Sequence, residues 1–462
     1  MSIQTPSRPQ NGSPSMSTAT TMTPEQVRRR TLVSGTIGAI VEWYEYTVYA
    51  TAAALVFGPL FFPAMDASLS QIAALATFGV GFVARPVGAF VAGHLGDRIG
   101  RKSTLILTFA IMSVSTALIG LLPTYETVGV LAPILLCVLR LAQGFAVGGE
   151  WGGAAIIAVE NAPKGRRGFY GSWPQIGVSC GLLFGTGAVA LAGALTGDAF
   201  NTWGWRIPFL LSIVLAAVGL YIRLNAAESP EFLVEKEKMA KETEHRKAPI
   251  AELLANHRKP LLIAIFGRFA EAGNYYLFTV FVLSYVTTTL QVPKHYGLTA
   301  VMIGSALNII MIPVFGRLSD SIGRKRTFLL GGTAIVLTAW PIFALIGTGQ
   351  QLAIILGVAL FLALGHALVY APLPALYCEL FPTAVRYSGI SIGYQMASIL
   401  LAGFMPALAG ALVLWTGSTL PVVAIIIAST IVAMISISFA KETKDIDLAD
   451  IGQTKKLMDT KV

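Results

Sequence analysis

Eight ionisable side chains stand inside otherwise apolar runs of this chain: Glu42, Glu45, Arg85, Arg140, Glu150, Arg268, Glu271 and His366. Each costs roughly 2.5–3.5 kcal/mol at the centre of a membrane-spanning helix, so such groups persist when they are paired or functional. Glu42 and Glu45 lie about 11 and 14 residues into their run, roughly 17–21 Å along a helix. Three- and four-residue spacing puts them on one stripe with Tyr46 and Tyr49. An acid at that depth, with Arg140 in reach, has the chemistry of a proton carrier. Taking up the proton neutralises the acid and frees the arginine for an anion or for a change of conformation. The same residues also fit a static buried salt bridge that fixes helix packing.

Arg268 and Glu271 are three residues apart. They either neutralise one another, or Arg268 offers its fork of donors to a solute carboxylate. His366 is of the residue type that ordinarily titrates in the physiological range, and it serves equally as a hydrogen-bond donor to a solute hydroxyl or a neighbouring helix. Asn274, Tyr275, Tyr276, Asn308, Tyr370 and Gln395 are candidates either for a cavity lining or for interhelical hydrogen bonds. Arg85 precedes Pro86, and Glu150 lies among Gly144, Gly148, Gly149, Gly152 and Gly153, a small-residue face suited to close helix contact.

These residues are positioned by helices in a bilayer. Of 462 residues, 55% are hydrophobic and 12% charged, against about 25% charged in soluble domains; the mean hydropathy is +0.69. Twelve apolar runs of spanning length cover 31–60, 68–96, 103–122, 128–158, 170–195, 205–225, 259–290, 297–317, 327–347, 351–378, 387–413 and 418–440. Polar stretches divide the chain into an N-terminal tail (1–30), a first bundle (31–225), an interdomain loop with a short surface helix (226–258), a second bundle (259–440) and a C-terminal tail (441–462). With the N-terminus inside, all of the 33 Lys and Arg but Arg85, Arg140, Arg206, Arg268 and Lys294 fall on cytoplasmic segments. The positive-inside rule then sets both termini in the cytoplasm of a multi-pass cell-membrane protein. It also accounts for the net charge of +9 without nucleic acid. Cys137, Cys180 and Cys378 fall in apolar runs, with no disulfide framework and no metal-ligand spacing. The Gly177-Val-Ser-Cys-Gly181 and Gly185-Thr-Gly187 matches to a nucleophile elbow and a dinucleotide loop lie inside one apolar run, where neither motif has its strand. No cofactor is expected.

The chain repeats itself. Gly93-His-Leu-Gly-Asp97-Arg-Ile-Gly-Arg101-Lys102 returns as Gly316-Arg-Leu-Ser-Asp320-Ser-Ile-Gly-Arg324-Lys325, at an offset of 223 (320 − 97). Glu160, Pro163 and Arg167 return as Glu379, Pro382 and Arg386 at 219 (379 − 160). One duplication of half the chain explains both, and such repeats place a transport site between the halves. Asp97 with Arg101, and Asp320 with Arg324, suit latches in which a carboxylate sits at a helix N-terminus. Glu160 with Arg167, and Glu379 with Arg386, suggest parallel latches. The alternative is short loops that merely satisfy the charge rule.

On these residues the chain resembles the major facilitator superfamily and, within it, the metabolite:proton symporter family. Further support comes from Glu42-Trp-Tyr44, Gly81-Phe-Val-Ala-Arg85-Pro86, Arg140-Leu-Ala-Gln143-Gly144 through Gly153, and Gly204-Trp-Arg206-Ile-Pro208. The family more often has Asp at the position of Glu45. Shikimate transporters are similar at Arg268, Glu271 and His366, and at Gly393-Tyr-Gln395-Met-Ala-Ser398. The resemblance implies an all-α membrane protein of major facilitator fold, with twelve transmembrane helices in two six-helix bundles related by pseudo-twofold symmetry. It implies a monomeric, proton-coupled symporter, not an enzyme, that takes up shikimate or dehydroshikimate by alternating access. Other organic acids, proline or betaine, and passive facilitation stay open. Glu42, Glu45 and Arg140 would couple protons. Arg268, Glu271, Asn274, Tyr275, His366, Tyr370 and Gln395 would bind solute. The Asp97, Arg101, Asp320, Arg324, Glu160, Arg167, Glu379 and Arg386 set would gate.

Overall fold

The computed structural model describes residues 24–99, 101–148, 150–225, 249–446, 448 and 451; at 24–35, 92–103, 105, 150, 222–225, 249–251 and 384 it describes the backbone only. Among the described residues twelve long helical segments follow one another: α1 (Pro24–Leu55), α2 (Ala67–Ile99), α3 (Arg101–Leu121), α4 (Leu131–Val147, then Glu150–Glu160), α5 (Arg167–Thr196), α6 (Ile207–Asn225), α7 (Arg258–Gly267, then Phe269–Tyr276 and on to Thr289), α8 (Lys294–Ile322), α9 (Arg324–Gly347), α10 (Gln351–Leu380), α11 (Arg386–Thr416) and α12 (Leu420–Ser438). Helices are what long unbroken apolar runs form in lipid, since a helix satisfies every backbone polar group within its own segment. Among the described residues nine helices are long and apolar enough to cross a membrane. The other three are α1 and α7, which carry interior charges, and α3, whose apolar run is Ile106–Leu121.

The packing reverses that of a soluble protein. Large apolar side chains such as Phe90, Leu121, Leu195, Leu337 and Trp415 face outward, while Glu45, Arg140, Arg268, Glu271, Asn308 and His366 are buried. α1–α6 and α7–α12 form the two halves. They meet where α5 packs on α8, α2 on α11, α1 on α7, and α4 on α10 and α11. α1 starts at Pro24, ahead of the expected 31. Of the interdomain loop, the described part is a short helix, Pro249–Asn256; residues 226–248 and 1–23 lie outside the described residues, as do the side chains of Asp97, Arg101 and Glu150.

The second half is less regular. Leu277–Phe281 and Tyr285–Thr289 in α7, Phe361–His366 in α10 and Ser398–Ala402 in α11 are π-helical. Such wide turns concentrate at functional sites. Those of α10 and α11 include His366 and Ser398 themselves.

Candidate functional site

In the first half, glycines let α2 and α4 touch backbone to backbone. A Cβ at Gly144 would stand 1.8 Å from the Gly81 carbonyl oxygen, and one at Gly88 1.8 Å from that of Phe145. The contact lays Arg140 across α2, with its Nε 2.8 Å from where a Gly81 Cβ would be. The Arg140 guanidinium lies 4.4 Å from the Tyr46 ring centroid and 4.2 Å from that of Tyr49. Its Nη1 donates to Gln143 Oε1 at 3.0 Å. Gln143 Nε2 donates to Thr116 Oγ1 at 2.7 Å, and Thr116 donates to Glu45 Oε2 at 3.0 Å. Ser113 donates to Glu45 Oε1 at 2.7 Å. The fully buried Glu45 thus reaches Arg140 through two intervening side chains, whereas Glu42 is half-buried. Ser113, Thr116 and Gln143 were missing from the sequence-based candidates. Their signal was polar residues one turn apart in the apolar run of α3, and a glutamine one turn beyond Arg140.

In the second half, Arg268 Nε stands 2.9 Å from Glu271 Oε2. Its Nη1 donates to the Tyr394 carbonyl at 2.8 Å and to the Ser398 hydroxyl, and the guanidinium lies 3.3 Å from the Tyr394 ring centroid. Of the two readings open for Arg268, the geometry takes the neutralised one. His366 Nε2 faces Glu271 Oε1 at 3.8 Å. Its Nδ1 is 3.1 Å from Asn308 Nδ2, which also donates to Ser179 Oγ at 3.1 Å. An amide nitrogen only donates, so with the amide in this orientation Nδ1 accepts and the proton sits on Nε2, toward Glu271. Ser179 is from the rejected nucleophile-elbow match; here it ties α5 to α8 across the halves. Tyr275 and Tyr370 flank His366, each with ring centroids 4.8 Å from it. Gln395 Nε2 donates to the Gly148 carbonyl at 2.8 Å, across the halves. Asn274, expected among the cavity residues, is directed onto α12 instead: it donates to Thr430 at 3.1 Å and accepts from Ser429 at 3.3 Å. One residue before Tyr275, it lies about 100° round the helix from it.

Between the halves Trp43 meets Tyr275, and Tyr276 packs on Tyr46, Phe78 and Phe82. The cavity left there is about 10 Å³, room for one water at most. A solute enters only if the halves part.

The model for the Major Facilitator Superfamily matches residues 31–402 and 264–451. The chain belongs to the major facilitator superfamily. It is 41% identical over 404 residues to an inner membrane metabolite transport protein of Escherichia coli (strain K12), covering 85% of this chain and 91% of that one. It is 40% identical over 407 residues to the shikimate transporter of the same organism, covering 88% and 90%, and 38% identical over 397 residues to its proline/betaine transporter, covering 83% and 78%. A solved structure of the proton:xylose symporter XylE shares the fold, with a TM-score of 0.74, 17% identity, and coverage of 94% of this chain and 100% of that chain. This facilitator is therefore a membrane transporter of metabolites, and the family's members are not enzymes.

At the end of this facilitator that carries the basic turns, charges pair across the halves. Asp320 accepts from the backbone N–H of Gly168 and Phe169 at 2.8 and 2.9 Å, at the start of α5, and from Arg324 at 2.8 Å. Arg324 also reaches Glu379, at 3.3 Å. Arg167 stands 3.6 Å from Glu379, and Arg386 2.6 Å from Glu160. The pairing expected of Glu160 with Arg167 and of Glu379 with Arg386 is thus corrected. Each acid meets the arginine of the opposite half, because the pseudo-twofold brings the two loops face to face. The segment after α12, expected to be a tail, packs here too. Glu442 accepts from the N–H of Arg324 and Lys325 at 2.9 and 3.1 Å. The carbonyls of Ile446 and Leu448 accept from Arg167 and Arg386 at 2.6 and 3.3 Å.

Proposed function

We propose that the protein takes up a small organic acid, shikimate or dehydroshikimate, together with protons, by alternating access as a monomer in the cell membrane. Both termini and the basic end face the cytoplasm. The observation that carries the reading is the chain from Glu45 through Thr116 and Gln143 to Arg140. Glu45 is an acid buried among hydroxyls, and a proton on it changes the network without breaking it. The protonated carboxyl donates to Thr116 Oγ1. The Thr116 hydrogen turns to the Met112 carbonyl, 2.9 Å away. Loss of the carboxylate charge then releases the Arg140 cation to a solute carboxylate. On the other side, Glu271, His366, Tyr275, Tyr370 and Gln395 offer donors and acceptors for ring hydroxyls. The ion pairs at the basic end hold the cytoplasmic side shut and break when it opens.

The test is uptake of shikimate into proteoliposomes with and without an inward proton gradient, beside quinate, citrate and betaine. Gradient-driven accumulation of shikimate is expected. Mere equilibration makes the protein a passive facilitator, and preference for betaine overturns the organic-acid reading.

A further inference from the structure

We infer that Arg85 and Arg140 together form the carboxylate-binding site, with Arg85 as a specificity residue. The inference rests on the organic-acid reading above and replaces Arg268 as the group that meets the anion. Both guanidinium groups flank the Tyr46 ring, at 5.0 and 4.4 Å from its centroid. Arg85 lies 4.1 Å from the Phe82 centroid as well. They are 4% and 1% exposed. Among the described residues neither has a carboxylate within ion-pair distance. Arg140 Nε and Nη2 and Arg85 Nε are buried without a hydrogen bond. Ring faces stabilise a cation but take none of its directed N–H bonds. A buried guanidinium with unused donors is costly unless an acceptor arrives during the working cycle.

The position suits a solute. Phe82 and Tyr46 pack on Tyr276 of the second half, with centroids 5.6 and 6.1 Å apart, and Phe82 lies under Gly403 of α11. Parting the halves at this aromatic seam gives access to both cations at once. Arg268 has no such freedom, since Glu271, Tyr394 and Ser398 occupy it. A monocarboxylate has two oxygens, each able to take forked donors, and so suits two guanidinium groups beside one ring. A zwitterion such as betaine brings a quaternary ammonium into a doubly cationic site, which is repulsive.

The experiment is calorimetric titration of the purified protein with shikimate and with its uncharged methyl ester. The wild type is expected to bind the acid about tenfold or more tighter than the ester, as a charged hydrogen bond allows. Arg85→Gln lowers that ratio by about threefold or more, with Arg140 supplying what remains, and Arg85→Lys leaves it in between. Because the ratio is internal to each variant, it reads the site rather than the folded fraction; should Arg85→Gln fail to fold, Arg85→Lys decides. A full ratio retained in the folded variants overturns the Arg85 site and leaves the organic-acid reading standing. A wild type that does not distinguish acid from ester overturns both.

Discussion

In the second half, Arg268 and Glu271 stand 2.9 Å apart, with His366 beyond; in the first, Glu45 reaches Arg140 only through Thr116 and Gln143. The same fold therefore holds buried charge in two ways. A closed pair is a fixture, since removing one partner strands the other in a low dielectric. A pair separated by hydroxyl and amide groups tolerates a change of charge on one member, because each intermediate can turn its hydrogen. The π-helical turns lie on the side of the fixture, and the backbone-to-backbone glycine contacts on the side of the adjustable pair. In the proposed function, positioning falls to the second half and the moving proton to the first.

The sharpest way to break this contrast is to remove one partner from each pair. Glu271→Ala is expected to cost about 3–5 kcal/mol of stability by leaving Arg268 unpaired, read as a fall in thermal midpoint in detergent. Joint replacement of Arg268 and Glu271 by Met and Leu should recover most of it. A small loss in the single variant would mean the pair is no fixture. Glu45→Gln should leave the midpoint within about 1 kcal/mol, since the amide still bonds Ser113 and Thr116. It should abolish gradient-driven accumulation while solute exchange persists. Accumulation at the wild-type level would remove Glu45 from proton coupling. Thr116→Val, which cuts the link to Arg140, is expected to cost about 1–2 kcal/mol and to reduce accumulation part-way; an effect equal to that of Glu45→Gln would make Thr116 the stronger element. Smallest is Thr443→Val at the basic end, expected within about 1 kcal/mol. It removes a hydroxyl donor to Glu379 and should raise the cleavage rate of a protease site placed in the α8–α9 turn; an unchanged rate would detach the C-terminal segment from the closed state.

Much of this was legible in the residues. Twelve apolar runs and two repeated motifs were enough for the architecture, because lipid leaves helices as the one economical answer and duplication leaves its offset in the chain. The buried charges were also findable, since a charge in an apolar run stands out whatever it does. Which of Glu42 and Glu45 is enclosed was not readable: both lie on one stripe, and the difference is made by Ser113 and Thr116 on another helix. The exchange of partners among Glu160, Arg167, Glu379 and Arg386 was hidden for the same reason. Spacing along a helix shows neighbours within it and is silent about the loop that symmetry brings opposite. The residues after α12 look like any polar tail; Glu442 and Thr443 hold part of them by side chains, but the carbonyls of Ile446 and Leu448, which no side-chain pattern records, hold the rest.

Those carbonyls set a timetable for biogenesis. Arg167 belongs to the first half, which leaves the ribosome while the second is unmade; in membranes as in solution, earlier segments settle first. Its acceptor at Ile446 follows α12, so it arrives after every helix of the second half. Until then the newly inserted first half carries an arginine lacking one of its bonds, and the arrival of Ile446 supplies it.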